Sequence, residues 1–220
     1  MALKELILKE FRLIGRAKNG ILSMFVLMLS LIFIFHFSLE RTNPLSQESL
    51  IGLKWSIVFI LSFVFIGQSN WEERESGAFW INQIYLPSHY PFLVKSFVIW
   101  LILLVIEIAL LFLFSVFFQS FQLSSKSIFH QLIYLTPGTL SLSFLGNMLS
   151  KMSHATRLKE IVLPLLLIPL SMPVLIFGME AEQKILHQDT YNVSTFLIML
   201  FFTVFYGSLG SIFVEIFQEE

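Results

Sequence analysis

The sequence predicts an all-α integral membrane protein, with six transmembrane helices behind an N-terminal interfacial amphipathic helix. Three observations predict it. The 220 residues are 56% apolar and only 13% charged, whereas soluble domains carry about 25% charged residues. So few polar groups would not cover a water-facing surface, so the solvent is lipid. The apolar residues gather into six runs near the roughly 20-residue length that spans a bilayer. The first 18 residues instead sort apolar and basic side chains onto opposite faces of a helix.

That leading segment, residues 1–18, places Leu3, Leu6, Ile7, Phe11, Leu13 and Ile14 on one face. Lys4, Glu5, Lys9, Arg12 and Arg16 lie on the other. Glu10 intrudes on the apolar face and Leu8 on the polar one. A basic amphipathic helix of this kind lies in the membrane interface, either as an anchor or as a contact surface, since both follow from the same amphipathicity. The charged region is too long, and the apolar run behind it long enough to span, for a cleavable signal peptide. The spans follow at about Gly20–Leu39, Ile51–Gly67, Phe97–Phe118, Ile128–Leu149, Glu160–Gly178 and Thr195–Phe217. The links between them are too short to fold alone, which makes residues 1–220 a single transmembrane domain.

Basic residues orient the bundle. Lys4, Lys9, Arg12, Arg16 and Lys18 precede the first span, and Arg74, Lys95, Lys151, Arg157 and Lys159 fall in the second and fourth links. The opposite side holds Arg41, Lys54, Lys126 and Lys184. Ten against four puts both termini and the segment around Trp71 in the cytoplasm of a multi-pass protein.

Trp71–Pro91, WEERESGAFWINQIYLPSHYP, is the segment that looks least like a simple link. Glu72, Glu73, Arg74 and Glu75 make a dense charged cluster, and Gly77 can break or cap a helix. Phe79, Trp80, Ile84, Tyr85 and Leu86 add aromatic and apolar surface, with Trp80 and Ile84 on one helix face. Pro87 and Pro91 end the element before the third span. An interfacial aromatic belt explains the aromatics. The adjoining charges suit a protein contact, which makes this cytoplasmic segment, with a weaker second contact at Lys151–Lys159, a candidate coupling element.

Glu107 sits mid-span in WLILLVIEIALLFLF. A carboxylate there costs roughly 2.5–3.5 kcal/mol on insertion scales, so it is expected to face the bundle interior and to be protonated by desolvation. The hydroxyls of Thr136, Ser141, Ser143 and Ser171 are its candidate partners. It reads either as a substrate or gating residue or as a buried interhelix hydrogen bond. Pro137, Pro164, Pro169 and Pro173 can kink their spans, which suits a moving domain and static packing alike. Gly207 and Gly210 permit close helix approach. His36 and His130, near the outer span ends, are weak candidates to lie near haem. His89, His154 and His187 have no metal-ligand spacing.

The absences narrow the function. The chain has no cysteine, hence no disulfide, thiolate metal site or c-type haem attachment. A net charge of −1 argues against nucleic acid. No P-loop, H-E-x-x-H, G-x-S-x-G or Rossmann fingerprint is present, so no catalytic, cofactor or metal site is expected in this chain, and any ATP is used by a partner.

The ILKEFRLIGR segment, the six spans, the acidic-glycine segment ending in Leu86-Pro87, and the fifth-span run IVLPLLLIPLSMPVLIFGMEA together resemble the CcmB family. This family supplies the membrane subunit, haem exporter protein B, of the ABC-type complex of cytochrome c maturation. The resemblance covers nearly the whole chain. The acidic-glycine segment is shared with type-2 ABC exporter permeases more widely. The resemblance implies a type-2 permease-like fold in the bacterial inner membrane and a second copy of the chain. It further implies a CcmA-like ATPase partner and association with CcmC-, CcmD- and CcmE-like proteins. ATP hydrolysis would then release the haem-loaded chaperone, haem being handled by the assembly. Ala78-Phe79-Trp80 departs from the family pattern, which has an acidic residue shortly after the glycine. The spacing from Gly77 to Pro87 is also about one residue long. Two other readings stand beside this one. The first is a type-2 ABC permease for a lipid or other amphipathic substrate. The second is a structural membrane-assembly subunit with no ATPase.

Overall fold

A computed structural model describes residues 2–16, 18–39, 44–75, 87, 89–121, 125–154, 159–188 and 193–216. They form seven helices: α1 (Ala2–Arg16), α2 (Lys18–Leu39), α3 (Gln47–Glu75), α4 (His89–Phe117), α5 (Ser125–His154), α6 (Lys159–Gln188) and α7 (Val193–Ile216). No strand occurs among the described residues. Six of the helices, α2 to α7, are long and apolar enough to cross a membrane. Helices are the expected solution, because the lipid core offers backbone amides no partners outside the segment.

Helix α5 is the axis of the bundle. It packs against α3, α4, α6 and α7, and 72% of its spanning window is buried, against 22% for α2. Its sequence explains the position. Gly138, Ser141, Ser143, Gly146 and Asn147 are small or polar and buried, and small residues let membrane helices approach closely. Around Pro137, which lacks an N–H, neighbouring carbonyls take side-chain donors. Trp100 Nε1–H donates to Thr136 at 3.0 Å, and the hydroxyls of Ser141 and Thr203 donate to Pro137 at 2.7 and 3.0 Å. At the periphery, α2 turns Phe25, Val26, Phe33 and Phe37 outward, toward lipid.

Two glycine contacts set the close approaches. The Trp55 ring lies against both Gly138 and Gly178, where an added Cβ would stand 2.6 and 2.4 Å from ring carbons. Phe92 lies against Gly210 in the same way, at 2.3 Å, whereas the position of Gly207 leaves ordinary contact with Phe144. Of the two glycines expected to permit close approach, Gly210 is the one under strict demand. Gly178→Ala is therefore expected to cost about 1–3 kcal/mol through overpacking against a rigid indole. Gly52 meets nothing within 4 Å, so Gly52→Ala is expected to gain about 0.5–1 kcal/mol from helix propensity. Thermal unfolding in detergent micelles separates the two signs.

The helix ends differ from the apolar runs. Helix α3 continues past Gly67 to Glu75, and α4 starts at His89, well before Phe97. Trp71–Glu75 is thus the last turn of α3, at and beyond the end of the span Gln47–Trp71, and Pro91 lies in the first turn of α4, where its missing N–H costs nothing, instead of closing the preceding element. Helix α6 runs without interruption through Pro164, Pro169 and Pro173.

Candidate functional site

One end of the bundle collects the features singled out in the sequence. The α3 C-terminus, the α4 N-terminus and α1 meet there. The α7 end joins them through a hydrogen bond between the His89 ring and the Glu215 carboxylate. Of the candidate coupling residues, Gly77, Phe79, Trp80 and Ile84 lie outside the described residues, as does Ala78. Glu72, Arg74 and Glu75 belong to the last turn of α3 by backbone alone. Pro87 is exposed, and its carbonyl accepts the Tyr90 N–H at 3.1 Å. Trp71 is 65% exposed.

Glu73 is turned the other way. It is buried and ion-paired with Lys95 of α4, itself buried. The Lys95 ammonium also donates to Asn70 Oδ1 at 2.7 Å and to the Ser69 carbonyl at 3.4 Å. Burial alone would raise the Glu73 carboxyl. The adjacent Lys95 ammonium, with lesser help from Lys151 and Lys9, outweighs it and holds the pKa below its ordinary value. Glu73 therefore fastens α3 to α4 inside the chain.

Glu10, the residue that spoiled the apolar face of α1, has its explanation here. Leu6 and Glu10, one turn apart, are both buried, on a helix that packs against α4 and α3. Glu10 lies 3.0 Å from Lys9 Nζ and within the field of Lys151. Helix α1 thus sits against the protein with one face and keeps Phe11 exposed at 42% with another. Its face toward α3 and α4 was not legible from amphipathicity alone.

A second polar cluster lies within the bundle. Lys54 of α3 and Glu182 of α6 form a buried ion pair, and Lys54 also donates to Gln131 Oε1 of α5 at 2.9 Å. By sequence, Lys54 counts among the basic residues of the outer side. Lys54 and Lys95 each leave the tally of solvent-facing basic residues, one from either side, so the charge bias survives. Glu107 faces the interior as expected, at 2% exposure. Its expected hydroxyl partners do not serve it. Ser141 donates to Pro137, Ser143 to the Ser96 carbonyl at 2.6 Å and Ser171 to Ile168 at 2.9 Å. Neither Glu107 oxygen has a hydrogen-bond partner. The Thr139 hydroxyl stands beside it but donates to the Leu135 carbonyl at 2.9 Å.

His36 packs its ring against Phe37, Phe117 and Phe118 at 5.4–5.9 Å. The side chain of His130 lies outside the described residues. Among the described residues no group of three His, Asp or Glu could hold a metal. An apolar groove of about 730 Å³ opens between α4, α5 and α7, walled by Trp100, Tyr134, Leu140, Phe196 and Leu200.

The model of one protein family, described as CcmB protein, matches residues 1–211. No curated protein matches the chain.

Proposed function

Because the chain belongs to the CcmB family over residues 1–211, a family of membrane subunits of a haem-exporting ABC complex, we propose that it is the non-catalytic permease subunit through which a separate ATPase acts in cytochrome c maturation. The work of hydrolysis would be spent on haem handling and release of the haem-loaded chaperone. Residues 72–87 form the coupling element, on the cytoplasmic side of the bacterial inner membrane, and both termini lie on that side. CcmC-, CcmD- and CcmE-like proteins and a second copy of the chain complete the assembly. Glu72, Arg74, Glu75, Gly77, Phe79, Trp80, Ile84 and Pro87 are proposed as contacts with the CcmA-like ATPase, while Glu73 serves from inside.

The observation that carries this reading is the Glu73–Lys95 pair. It ties the last turn of α3 to the second turn of α4, the two helices flanking residues 76–88. A push on that segment would then move both spans together, and α5 packs against each.

Purification of the chain from native membranes tests it. A nucleotide-binding subunit and a haem chaperone are expected to co-purify, with ATPase activity lowered at least tenfold by Glu72→Ala, Trp80→Ala. Recovery without any nucleotide-binding subunit would support a purely structural subunit instead. Permeation of a lipid or other amphipathic substrate is the second reading, favoured by the apolar groove beside α5. A lone ATPase partner without maturation proteins would select it.

A further inference from the structure

We infer that Glu107, beside the Lys54–Glu182 pair, forms a proton-binding site within the membrane-spanning bundle and carries one bound proton. Three helices contribute the groups, Lys54 from α3, Glu107 from α4 and Glu182 from α6, and the ion pair joins α3 to α6. All three are 4% exposed or less. Among the described residues, Lys54 and Glu182 are the charged groups that act on Glu107, and α5 adds the Thr139 hydroxyl.

The charge count requires a ligand. Two carboxylates and one ammonium leave one uncompensated negative charge among apolar side chains, and a buried unpaired ion costs several kcal/mol. A proton taken from water removes that charge: hydronium gives its proton to a carboxylate oxygen, leaving a neutral carboxylic acid and a water molecule. Glu107 is the acceptor, because the ammonium is in direct contact with Glu182 while neither Glu107 oxygen has a partner. A hard divalent cation fits poorly. Such ions take six or more oxygen ligands, and the unpartnered carboxylate oxygens here are the pair on Glu107 and Oε1 of Glu182.

The arrangement also has a second state. Movement of α3 against α6 that parts Lys54 from Glu182 would offer the ammonium to Glu107, which would ionise and pass its proton to Glu182 or to water. The site would then couple helix movement to protonation, whichever partner drives the movement.

Infrared spectroscopy of the full chain, purified with its associated subunits and reconstituted in lipid nanodiscs, tests this. At neutral pH the wild type is expected to show the carbonyl stretch of one buried protonated carboxylic acid. Glu107→Gln, neutral and nearly the same shape, removes that band. Lys54→Met, which leaves two carboxyls without a base, raises it about twofold. Glu182→Gln abolishes it, because Lys54 becomes free to pair with Glu107. Exchange of choline for sodium in the buffer leaves it unchanged. A wild type without the band, or a band untouched by Glu107→Gln, would overturn the site. Loss of the band on adding sodium would replace the proton by a sodium ion and overturn the assignment equally.

Discussion

Lys95→Met is expected to destabilise the chain by about 3–5 kcal/mol, because it removes the ammonium that compensates most of the buried Glu73 charge. The loss belongs to the buried charge that has lost its main compensation, so Glu73→Gln in the same background is expected to recover most of it. The pH response identifies the cause. In the wild type the Glu73 pKa is held below its ordinary 4.5 by Lys95. The pair therefore stabilises the fold above that pH, and its contribution is lost as acid carries the pH down through the folded-state value. Without Lys95, burial is left to raise the carboxyl. The folded state then binds the proton more tightly than the unfolded chain, and the variant gains stability on acidification where the wild type loses it. Thermal unfolding followed from neutral pH to well below 4.5 reads both signs. The same variant is expected to reduce ATPase coupling at least tenfold in the assembled complex, since α3 and α4 are no longer fastened beside residues 76–88.

Glu182→Gln combined with Glu107→Gln is expected to cost about 3–5 kcal/mol, because the Lys54 ammonium then has no carboxylate within reach. Glu182→Gln alone should cost less, since Glu107 can take over the ammonium. The shortfall measured in a double-mutant cycle is the coupling between the two carboxyls. Lys54→Met with Glu182→Gln removes the pair altogether and is expected to be near neutral, or stabilising by about 1–4 kcal/mol. Equal losses for the single and the double glutamine variants would show that Glu107 cannot serve Lys54.

Much of the bundle was legible because lipid imposes a length and a composition. The first span, Gly20–Leu39, is recovered without adjustment. The second falls short at its end because Gln68, Ser69, Asn70 and Glu73 read as polar link residues. Asn70 donates to the Ile66 carbonyl at 2.9 Å and Glu73 meets Lys95, so the helix carries its polar groups onward with partners supplied. The inward direction of Glu107 followed from the cost of exposing it to lipid. Its hydroxyl partners did not follow, because serine and threonine in helices bond the carbonyl one turn back in preference, as Ser141 and Thr139 do. Lys54 and Glu182 are 128 positions apart, and no local pattern announces such a pair. Glu10 gave a local signal, one acid on an apolar face, but the face it meets belongs to α3 and α4 and could not be read from α1.

The coupling role of residues 72–87 is tested most directly by single cysteines, which a chain with no cysteine of its own accepts cleanly. Placed one at a time from 72 to 86 in the complex, they should crosslink to the nucleotide-binding subunit, with yields that change on adding ATP, while membrane-impermeant reagents outside the cell leave them unlabelled. Labelling of these positions from outside, with no crosslink to that subunit, would contradict both the orientation and the coupling.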